Sequence, residues 1–374
     1  MKNIKYMITS GFLGAGKTTT MIALSKEMEK RALSAAVLAN DLGAKNNVDA
    51  DYTAMEGILT AQVSGDCICY QHEELIEKLR RLSGIGADIV FSDIPGCGIG
   101  ALDHVYLEIK RRNEDEEIEL LPFTCVADPK RLKMIMPESK DMNLPEEMKF
   151  LVDAQMKEAD LIFLNKTDLL SDAEQSFCMD FLRKNYPDTP VFPISALTGD
   201  GVGEAADYIL SHPSEATYRE IGYGSEKFLA AEEKLSWYNQ RIFMEEKDGK
   251  NVDFNQVLED IFEGIRDGLK MEHGNVPHLK AFAVGEGKDY VKASLLGVDY
   301  SIEFSRRLEQ EYTAISCMIN ARAATDAERM QAIADDVFEF ILQKYNLRGR
   351  TFFMETFGMT EEGKENGGRA SRYD

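Results

Sequence analysis

The chain has 374 residues and a formal net charge of −22, from 65 acidic and 43 basic side chains. This charge repels nucleic-acid phosphates and anionic lipid, which disfavours a nucleic-acid-binding or membrane-bound protein. Hydrophobic residues make up 44% and charged residues 29%, as in ordinary folded proteins, and the length predicts two or three domains. We expect a cytoplasmic protein, because no apolar run reaches the ~20 residues that span a bilayer, no signal-peptide pattern is present, and the cysteines are too sparse for a disulfide scaffold.

Short apolar runs alternate with amphipathic stretches from Ile4 to about Ile209, the pattern of repeated βα units. Several predicted strands are apolar without alternation, which is typical of strands covered by helices on both faces. The sequence therefore predicts an α/β domain over residues 1–212 with a doubly wound, mostly parallel sheet. Its predicted strands are 4–10, 35–40, 88–93, 120–128, 160–166 and 190–195, and its predicted helices are 17–30, 73–82, 101–112, 146–158, 172–184 and 203–210.

The pattern changes at His212-Pro213, where polar and glycine-rich residues predict a linker over 213–232. A smaller α+β domain is predicted over 233–350. Its predicted elements are strands at 237–245, 278–284, 289–296 and 313–321, and helices at 254–271 and 326–345. Residues 351–374 are predicted to be a polar tail, although its apolar stretch 352–359 could either dock on its own domain or present a partner-binding segment.

The strongest motif is SGFLGAGKTT, which matches G-x-x-x-x-G-K-[ST] directly after the first predicted strand. A loop of this type wraps a phosphate in backbone N–H groups and points the N-terminus of the next helix at it. Lys17 is expected to reach the β- and γ-phosphates, and Thr18 to bind Mg²⁺. The residues expected to bind the nucleotide here are Gly11, Gly14, Ala15, Gly16, Lys17, Thr18 and Thr19. The alternative is a glycine-rich turn with an exposed lysine.

Two further segments at strand ends fit the phosphate and metal side of the same nucleotide. In DIPG, Asp93 is expected to hold the Mg²⁺ shell and the amide of Gly96 to contact a γ-phosphate. Asp41 follows the second predicted strand and is a second Mg²⁺ candidate; the alternative there is an Asx turn.

The motif NKTD at 165–168 indicates guanine recognition. An asparagine and an aspartate that accept from the ring N–H and exocyclic amine would select guanine over adenine, because adenine leaves the buried carboxylate unpaired. We expect Asn165, Lys166 and Asp168 to bind the base, and an amide of Ser195-Ala196 to reach the guanine oxygen. The alternative is that Asn165 and Asp168 are ordinary turn residues.

These motifs occur in the expected order, each at the end of a predicted strand. Together they predict a GTP-binding enzyme whose catalytic residues are Lys17, Thr18 and Asp93. Cys97 follows DIPG, where Ras-like enzymes carry the glutamine that orients water, and no arginine finger is evident in the chain. We therefore expect slow intrinsic hydrolysis, which rises when a client or a second subunit in a nucleotide-dependent homodimer supplies the missing groups.

The sequence resembles the CobW/UreG/HypB family of P-loop GTPases, of the SIMIBI class, and most closely its CobW-like metallochaperone branch. GFLGAGKTT resembles the branch's phosphate loop, NDLG its metal and switch segment, and QMKEADLIFLNKTDLL the approach to its guanine motif. HLKAF and AISCMINARAATDAERM resemble strands of its C-terminal domain. The resemblance implies a P-loop GTPase domain followed by a CobW C-terminal-like domain. It also implies a protein that binds GTP or GDP with Mg²⁺ and hands a transition metal or metallocofactor to a client protein.

The family's metal motif is G-C-x-C-C, and the matching residues here read GDCICY. Cys67 and Cys69 take the place of the first two thiolates and Tyr70 that of the third. We expect Cys97 to replace the missing ligand, in a site for Zn²⁺, Co²⁺ or Ni²⁺, with Asp66 or His72 as a fourth ligand. The alternative is that these cysteines are structural.

Two functions are favoured by the sequence, ahead of a third in which the GTPase domain only binds nucleotide as a regulator. The first is a GTP hydrolase that delivers a metal or metallocofactor to a client metalloprotein. The second is a GTP-dependent assembly or reactivation factor for a corrinoid or nickel enzyme that does not itself bind metal, which the missing third cysteine favours.

Overall fold

A computed structural model describes residues 3–41, 48–64, 68–95, 98–112, 117–136 and 146–358. The chain divides into two compact units, one of Met1–Asp141 with Lys149–Tyr223 and one of Met142–Met148 with Gly224–Asp374. None of the helices in the described ranges is long and apolar enough to cross a membrane.

The first unit is built on a parallel sheet. Its strands are β1 (Ile4–Ser10), β2 (Ala35–Asp41), β3 (Leu59–Ser64), β4 (Ile89–Asp93), β5 (Ile118–Leu120), β6 (Thr124–Ala127), β7 (Leu161–Leu164) and β8 (Val191–Pro193). Over the described residues the strand order is β3-β2-β4-β1-β6-β7-β8, with β5 paired to β1. Its helices are α1 (Lys17–Lys30), α2 (Val48–Met55), α3 (His72–Gly84), α4 (Glu108–Arg112), α5 (Pro129–Ile135), α6 (Glu146–Glu158, in this unit from Lys149), α7 (Asp172–Asn185) and α8 (Val202–Ser211).

This sheet confirms the predicted fold of the first domain. Every residue of β4, β6 and β7 is buried, as expected for strands covered on both faces. Because all the described pairs are parallel, the carboxyl ends of the strands meet at one edge, where the predicted motifs lie.

The single strand predicted over 120–128 is wrong, because the structure has two short strands there. Pro122 has no N–H to donate and lies between β5 and β6. Both strands pair with β1. Ile8, also in β1, donates from its amide to the hydroxyl of Tyr106 at 2.9 Å. Tyr106 belongs to a π-helical stretch, Leu102–Leu107, which continues into α4.

The second unit contains an antiparallel sheet and two long helices. Its described strands are β9 (Ser236–Glu246), β10 (Asn275–Val284), β11 (Tyr290–Leu295), β12 (Glu303–Arg306), β13 (Ala314–Ala324) and β14 (Leu347–Gly358), in the order β12-β11-β10-β13-β9-β14. Its helices are α9 (Glu226–Glu233), α10 (Phe254–Met271) and α11 (Ala327–Lys344). Side chains of α10 and α11 form one apolar core with one face of the sheet. This arrangement confirms the predicted α+β class.

Two predicted boundaries are wrong. Residues 351–358, assigned to a polar tail, are the second half of β14 and pair with β9. Residues 226–232, assigned to a linker, lie in α9, which Ser225 caps through the amide of Phe228. Residues 359–374 lie outside the described part of the chain.

Candidate nucleotide site

The phosphate-loop sequence forms the turn between β1 and α1. The side chain of Lys17 folds back over the loop, since its Nζ donates to the carbonyl oxygen of Gly11 at 2.8 Å. Thr18 lies in the first turn of α1 and is 8% exposed. Among the other predicted loop residues, Gly11 and Ala15 are buried, and Gly14, Gly16 and Thr19 are half-buried.

Gly16 has to be a glycine for two reasons. Its φ of 97° lies in the left-handed region, and a Cβ built there would be 2.5 Å from the side-chain nitrogen of Asn165. The end of the phosphate loop therefore packs directly against the guanine motif, although the two are about 150 positions apart in the sequence.

Asn165 follows β7 and joins two loops. Its Nδ2 donates to the carbonyl oxygen of Ala15 at 2.9 Å, and its Oδ1 accepts from the amide of Ala196 at 3.0 Å. Asn165 is 2% exposed, so both bonds are shielded from water. The structure thus brings the phosphate loop, NKTD and the Ser195-Ala196 turn together around one buried amide.

The acidic residue of the guanine motif is held by the next strand. The hydroxyl of Ser195 donates to Asp168 Oδ1 at 2.6 Å and accepts from the amide of Thr198 at 3.2 Å. This leaves the other carboxylate oxygen of Asp168 outside that bond. The serine therefore orients the carboxylate that we expect to read the base.

Lys166 forms an ion pair that the sequence did not reveal. Its backbone is left-handed, with φ of 61°, and its Nζ lies 2.7 Å from Oδ2 of Asp128, whose side chain is 1% exposed. Asp128 also caps α5, accepting from the amide of Lys130 at 2.6 Å. Burial raises the pKa of Asp128, but the charge and hydrogen bond of Lys166, with help from Arg131, outweigh burial and hold that pKa below its usual value.

Arg131, in the same helical turn, reaches the phosphate loop. Its side chain is 2% exposed, its Nε donates to the carbonyl oxygen of Leu13 at 3.3 Å, and its guanidinium lies 5.4 Å from the ring centre of Phe12. The first turn of α5 therefore touches both the phosphate loop and the guanine motif. The dipeptide Asp128-Pro129 was the available signal, because aspartate at an N-cap followed by proline is a typical helix start.

Asp93 ends β4 beside β1, with Thr9 as its register partner. Its carboxylate is 5% exposed and accepts from the amide of Asn40 at 3.1 Å. A carboxylate and the Thr18 hydroxyl are hard oxygen ligands of the kind that Mg²⁺ prefers, so the donor set fits this ion. The backbone of Asp41 lies in β2, but its side chain, and Gly96, lie outside the described residues.

The predicted transition-metal site is described only in part. Cys67 and Cys97 lie outside the described residues, whereas Cys69 lies in the 3₁₀ turn Ile68–Tyr70 and is 6% exposed. The amide of Ile68 donates to Asn40 Oδ1 at 3.2 Å, which connects this turn to the strand end beside Asp93. Across the described stretches, no group of three or more His, Cys, Asp or Glu residues is placed to hold a metal ion.

Tyr70, in the place of the third family cysteine, has a structural role in this chain. Its hydroxyl is hydrogen-bonded to the hydroxyl of Tyr223, whose ring centre lies 4.4 Å from that of His104. His72, the possible fourth ligand, has its Nε2 within hydrogen-bond distance of the carbonyl oxygen of His104. Tyr223 and His104 had no signal in the sequence, since neither belongs to a motif.

The three other cysteines are core residues, as predicted. Cys125, Cys178 and Cys317 are all buried. Burial raises the pKa of the Cys125 and Cys317 thiols to about 12, and it also raises that of Cys178. They are therefore protonated at neutral pH, and a thiol is a much poorer metal ligand than a thiolate.

Comparison with known proteins places this chain in a family. The nucleotide-binding domain model of CobW/HypB/UreG matches residues 5–193. Among solved structures, HypB from Helicobacter pylori in complex with nickel is similar at 15% identity over 58% of this chain and 92% of that chain, with a TM-score of 0.39. Zn(II)-bound YjiA GTPase from E. coli is similar at 16% identity over 90% of this chain and 99% of that chain, with a TM-score of 0.36. Since the family match spans half of the sequence and contains the phosphate loop and the guanine motif, the chain belongs to the CobW/HypB/UreG family.

Proposed function

We propose that this protein binds GTP with Mg²⁺, hydrolyses it to GDP and phosphate, and uses this cycle to deliver a transition metal or metallocofactor to a client protein in the cytoplasm. The observation that carries the nucleotide part is the pair of hydrogen bonds in which Asn165 donates to the carbonyl of Ala15 and accepts from the amide of Ala196. An asparagine that only forms a turn would not need buried contacts with two separate loops. An asparagine that assembles a nucleotide pocket needs such contacts, because it has to hold the loops together.

Each predicted residue has a defined part in this proposal. Lys17 would leave the Gly11 carbonyl and move to the β- and γ-phosphates, because a phosphate attracts its charge more strongly than a neutral oxygen does. Thr18 and Asp93 would hold Mg²⁺, which neutralises charge on the phosphates when bound. Asp168, held by Ser195, would accept from the guanine N–H groups.

The family membership and the net charge of the chain support a requirement for Mg²⁺. The net charge of −22 opposes a bound polyphosphate, so its charge has to be balanced inside the site by Lys17, Mg²⁺ and backbone amides. We also propose that intrinsic turnover is slow, because Cys97 stands where a water-orienting glutamine would be. A client or a second subunit would then accelerate it.

Calorimetric titration of the full chain with GDP, GTP, ADP and ATP tests the nucleotide part. We expect GDP and GTP to bind at least about a hundredfold more tightly than the adenine nucleotides, since the wrong base leaves Asp168 unpaired. Equal affinity for guanine and adenine nucleotides would contradict the assignment of NKTD as the base-recognition motif.

The metal part rests on Cys67, Cys69 and Cys97. Thiolates would accept Zn²⁺, Co²⁺ or Ni²⁺, and a site that includes Cys97 would change with the nucleotide, because Cys97 follows the γ-phosphate segment. A competitive metal titration with GDP and with a non-hydrolysable GTP analogue tests this. We expect nucleotide-dependent affinity that Cys67→Ala abolishes and the core variant Cys178→Ala retains.

The second candidate is an assembly or reactivation factor for a corrinoid or nickel enzyme that does not itself bind metal. The bond between Tyr70 and Tyr223 favours it, because the third thiolate position is occupied by a side chain with another partner. If wild type binds GTP normally but shows no cysteine-dependent metal binding in the same titration, this second function replaces the first.

A further inference from the structure

A buried acid holds the segment that follows DIPG. Glu158, the last residue of α6, is 1% exposed. One of its carboxylate oxygens accepts from the amide of Gly100 at 3.1 Å, and the other accepts from the amide of Leu102 at 2.7 Å. Both oxygens are thus bonded to one short stretch of backbone.

The same helix makes a third bond to this stretch. Gln155, almost one turn before Glu158, is 1% exposed and donates from its Nε2 to the carbonyl oxygen of Gly98 at 3.0 Å. Residues 98–102 are therefore bonded to α6 at three backbone groups. The sequence carries no signal for the role of Glu158, because its partners lie 56 and 58 positions away.

The ring of Tyr223 packs against the same stretch. Gly100 has a φ of 86°, and a Cβ built on it would lie 2.6 Å from a ring carbon of Tyr223. The stretch 98–102 is therefore fixed at Gly100 both by the carboxylate of Glu158 and by the Tyr223 ring. A tightly held segment can transmit a small displacement at one end to what it touches.

The position of these bonds connects the two ends of the nucleotide site. Residues 98–102 follow the DIPG segment, which is expected to sense the γ-phosphate, and the amide of Gly98 donates to the carbonyl oxygen of Pro95 in that segment at 2.7 Å. From Glu158 the chain runs through Asp160 into β7 and reaches Asn165, which bonds to the phosphate loop. The acid thus joins the continuation of the γ-phosphate segment to the element that carries the guanine motif.

We propose that Glu158 is a positioning residue of the GTPase site, which fixes residues 98–102, and through the Gly98–Pro95 bond the described part of the DIPG segment, relative to the guanine-binding end of β7. This inference rests on the proposed GTPase function and assigns a further residue to it. Gln155 assists through the Gly98 carbonyl. Neither side chain needs to touch the nucleotide, since both act through the backbone they hold.

The environment of Glu158 gives the proposal a readout in pH. Burial raises its pKa to about 7, against the opposing effects of the Leu102 and Gly100 amides and of Arg219. The charged groups around it are Asp103, which raises the pKa further, and Arg219, which donates to the Glu158 backbone carbonyl and to the Asp160 carboxylate. A protonated carboxyl has lost one of its acceptor positions, so one of the two amide bonds weakens as pH falls through neutrality.

The test compares Glu158→Gln with Glu147→Gln in the full chain. Glutamine keeps one acceptor oxygen and removes the other, while Glu147 is a half-buried acid of the same helix that makes the matched change of charge. Single-turnover GTP hydrolysis is measured from about pH 5.5 to about pH 9, together with the affinity for GDP.

We expect Glu158→Gln to slow hydrolysis about tenfold at high pH and to leave the affinity for GDP within about twofold. Wild type and Glu147→Gln should show a rate step near neutral pH that Glu158→Gln lacks. Gln155→Met, which removes the third bond, should slow hydrolysis in the same direction and provides the test if Glu158→Gln does not fold.

Hydrolysis by Glu158→Gln or by Gln155→Met at the wild-type rate, with the wild-type pH profile, would overturn the inference while leaving the GTPase assignment intact. Failure of wild type itself to bind guanine nucleotides would instead contradict the proposed function. An equal loss of GDP affinity and of rate in Glu158→Gln would also overturn the inference, because it would indicate a general structural role.

Discussion

The side-chain nitrogen of Asn165 lies 2.9 Å from the carbonyl oxygen of Ala15, and this hydrogen bond fastens the guanine motif to the phosphate loop. The bond is buried, and the other end of the same amide accepts from Ala196. One side chain therefore sets the separation between the loop that would hold the phosphates and the turn that would hold the base. A nucleotide bound across both loops depends on that separation.

Asn165→Ala is expected to weaken GDP and GTP binding at least about tenfold, because it leaves a buried carbonyl and a buried amide without their partner. Isothermal titration calorimetry measures this. Asn185→Ala is the matched control, since the exposed side chain of Asn185 donates to the carbonyl of Phe181 within α7. If both variants bind GDP as tightly as wild type, Asn165 does not assemble the site.

Asp168→Asn is expected to change the base preference from guanine to xanthine. An amide nitrogen donates where a carboxylate accepts, and xanthine presents an oxygen where guanine has its amine. Binding of GTP and XTP to the variant and to wild type measures this preference. Asp172→Asn, which changes an acid in the first turn of α7, should keep the wild-type preference for GTP. A variant at position 168 that still prefers GTP would remove Asp168 from the base site.

Asp128→Asn is expected to lower the thermal unfolding temperature of the first unit by several degrees. Asparagine keeps the oxygen that caps α5 but loses the ion pair with Lys166. Because only the aspartate of this pair is fully buried, we expect the free energy of unfolding to fall by roughly 2 kcal/mol. The double variant Asp128→Asn with Lys166→Met should recover part of this loss. Asp253→Asn is the control, since the exposed Asp253 caps α10 by accepting from the amides of Asn255 and Gln256, and asparagine keeps that oxygen, so this variant should change the transition little. Equal shifts in Asp128→Asn and Asp253→Asn would contradict a role for the ion pair.

Glu158 is expected to make the folded protein less stable as pH rises from about 4.5 to about 7. Its pKa is raised from 4.5 to about 7 by burial, so the folded chain keeps a proton that the unfolded chain has released across this window. Stability is therefore greatest below the unfolded pKa and falls as pH rises through the folded one, by about 3 kcal/mol in total.

Comparison with Glu158→Gln isolates this contribution, because other groups titrate in the same range. Burial lowers the pKa of His104, for example, which makes that residue stabilise the fold as pH rises. Urea unfolding at a series of pH values gives the free energy of unfolding of wild type and of Glu158→Gln. As pH rises, this free energy should fall for wild type relative to the variant. A difference independent of pH would show that Glu158 titrates at its ordinary pKa.

Several elements could be predicted from the sequence because local signals determine them. The bounds of α10 were predicted at 254–271 and observed there, since its apolar residues recur at helical spacing and Asp253 caps it through the amides of Asn255 and Gln256. The strand before the phosphate loop and the helix after it also lie where the motif requires them. β3 was missed, because LTAQVS mixes polar and apolar residues, as edge strands do.

The site could be predicted only as far as its motifs extend. The phosphate loop, NKTD and Ser195-Ala196 form recognisable patterns, and the structure brings them together. Asp128, Glu158 and Tyr223 could not be found, because each acts on a residue far away in the chain and belongs to no pattern. Tyr70 was recognised as a departure from the family motif, but its bond to Tyr223 is a tertiary contact that spacing cannot reveal.

GTP turnover at the phosphate loop is the central prediction for this protein. Phosphate release from GTP and from ATP, measured for the full chain and for Lys17→Ala with and without Mg²⁺, tests it most directly. We expect slow release from GTP alone, which requires Mg²⁺ and is lost in Lys17→Ala while the variant stays folded. Equal release from ATP, or release that Lys17→Ala and the removal of Mg²⁺ leave unchanged, would contradict it.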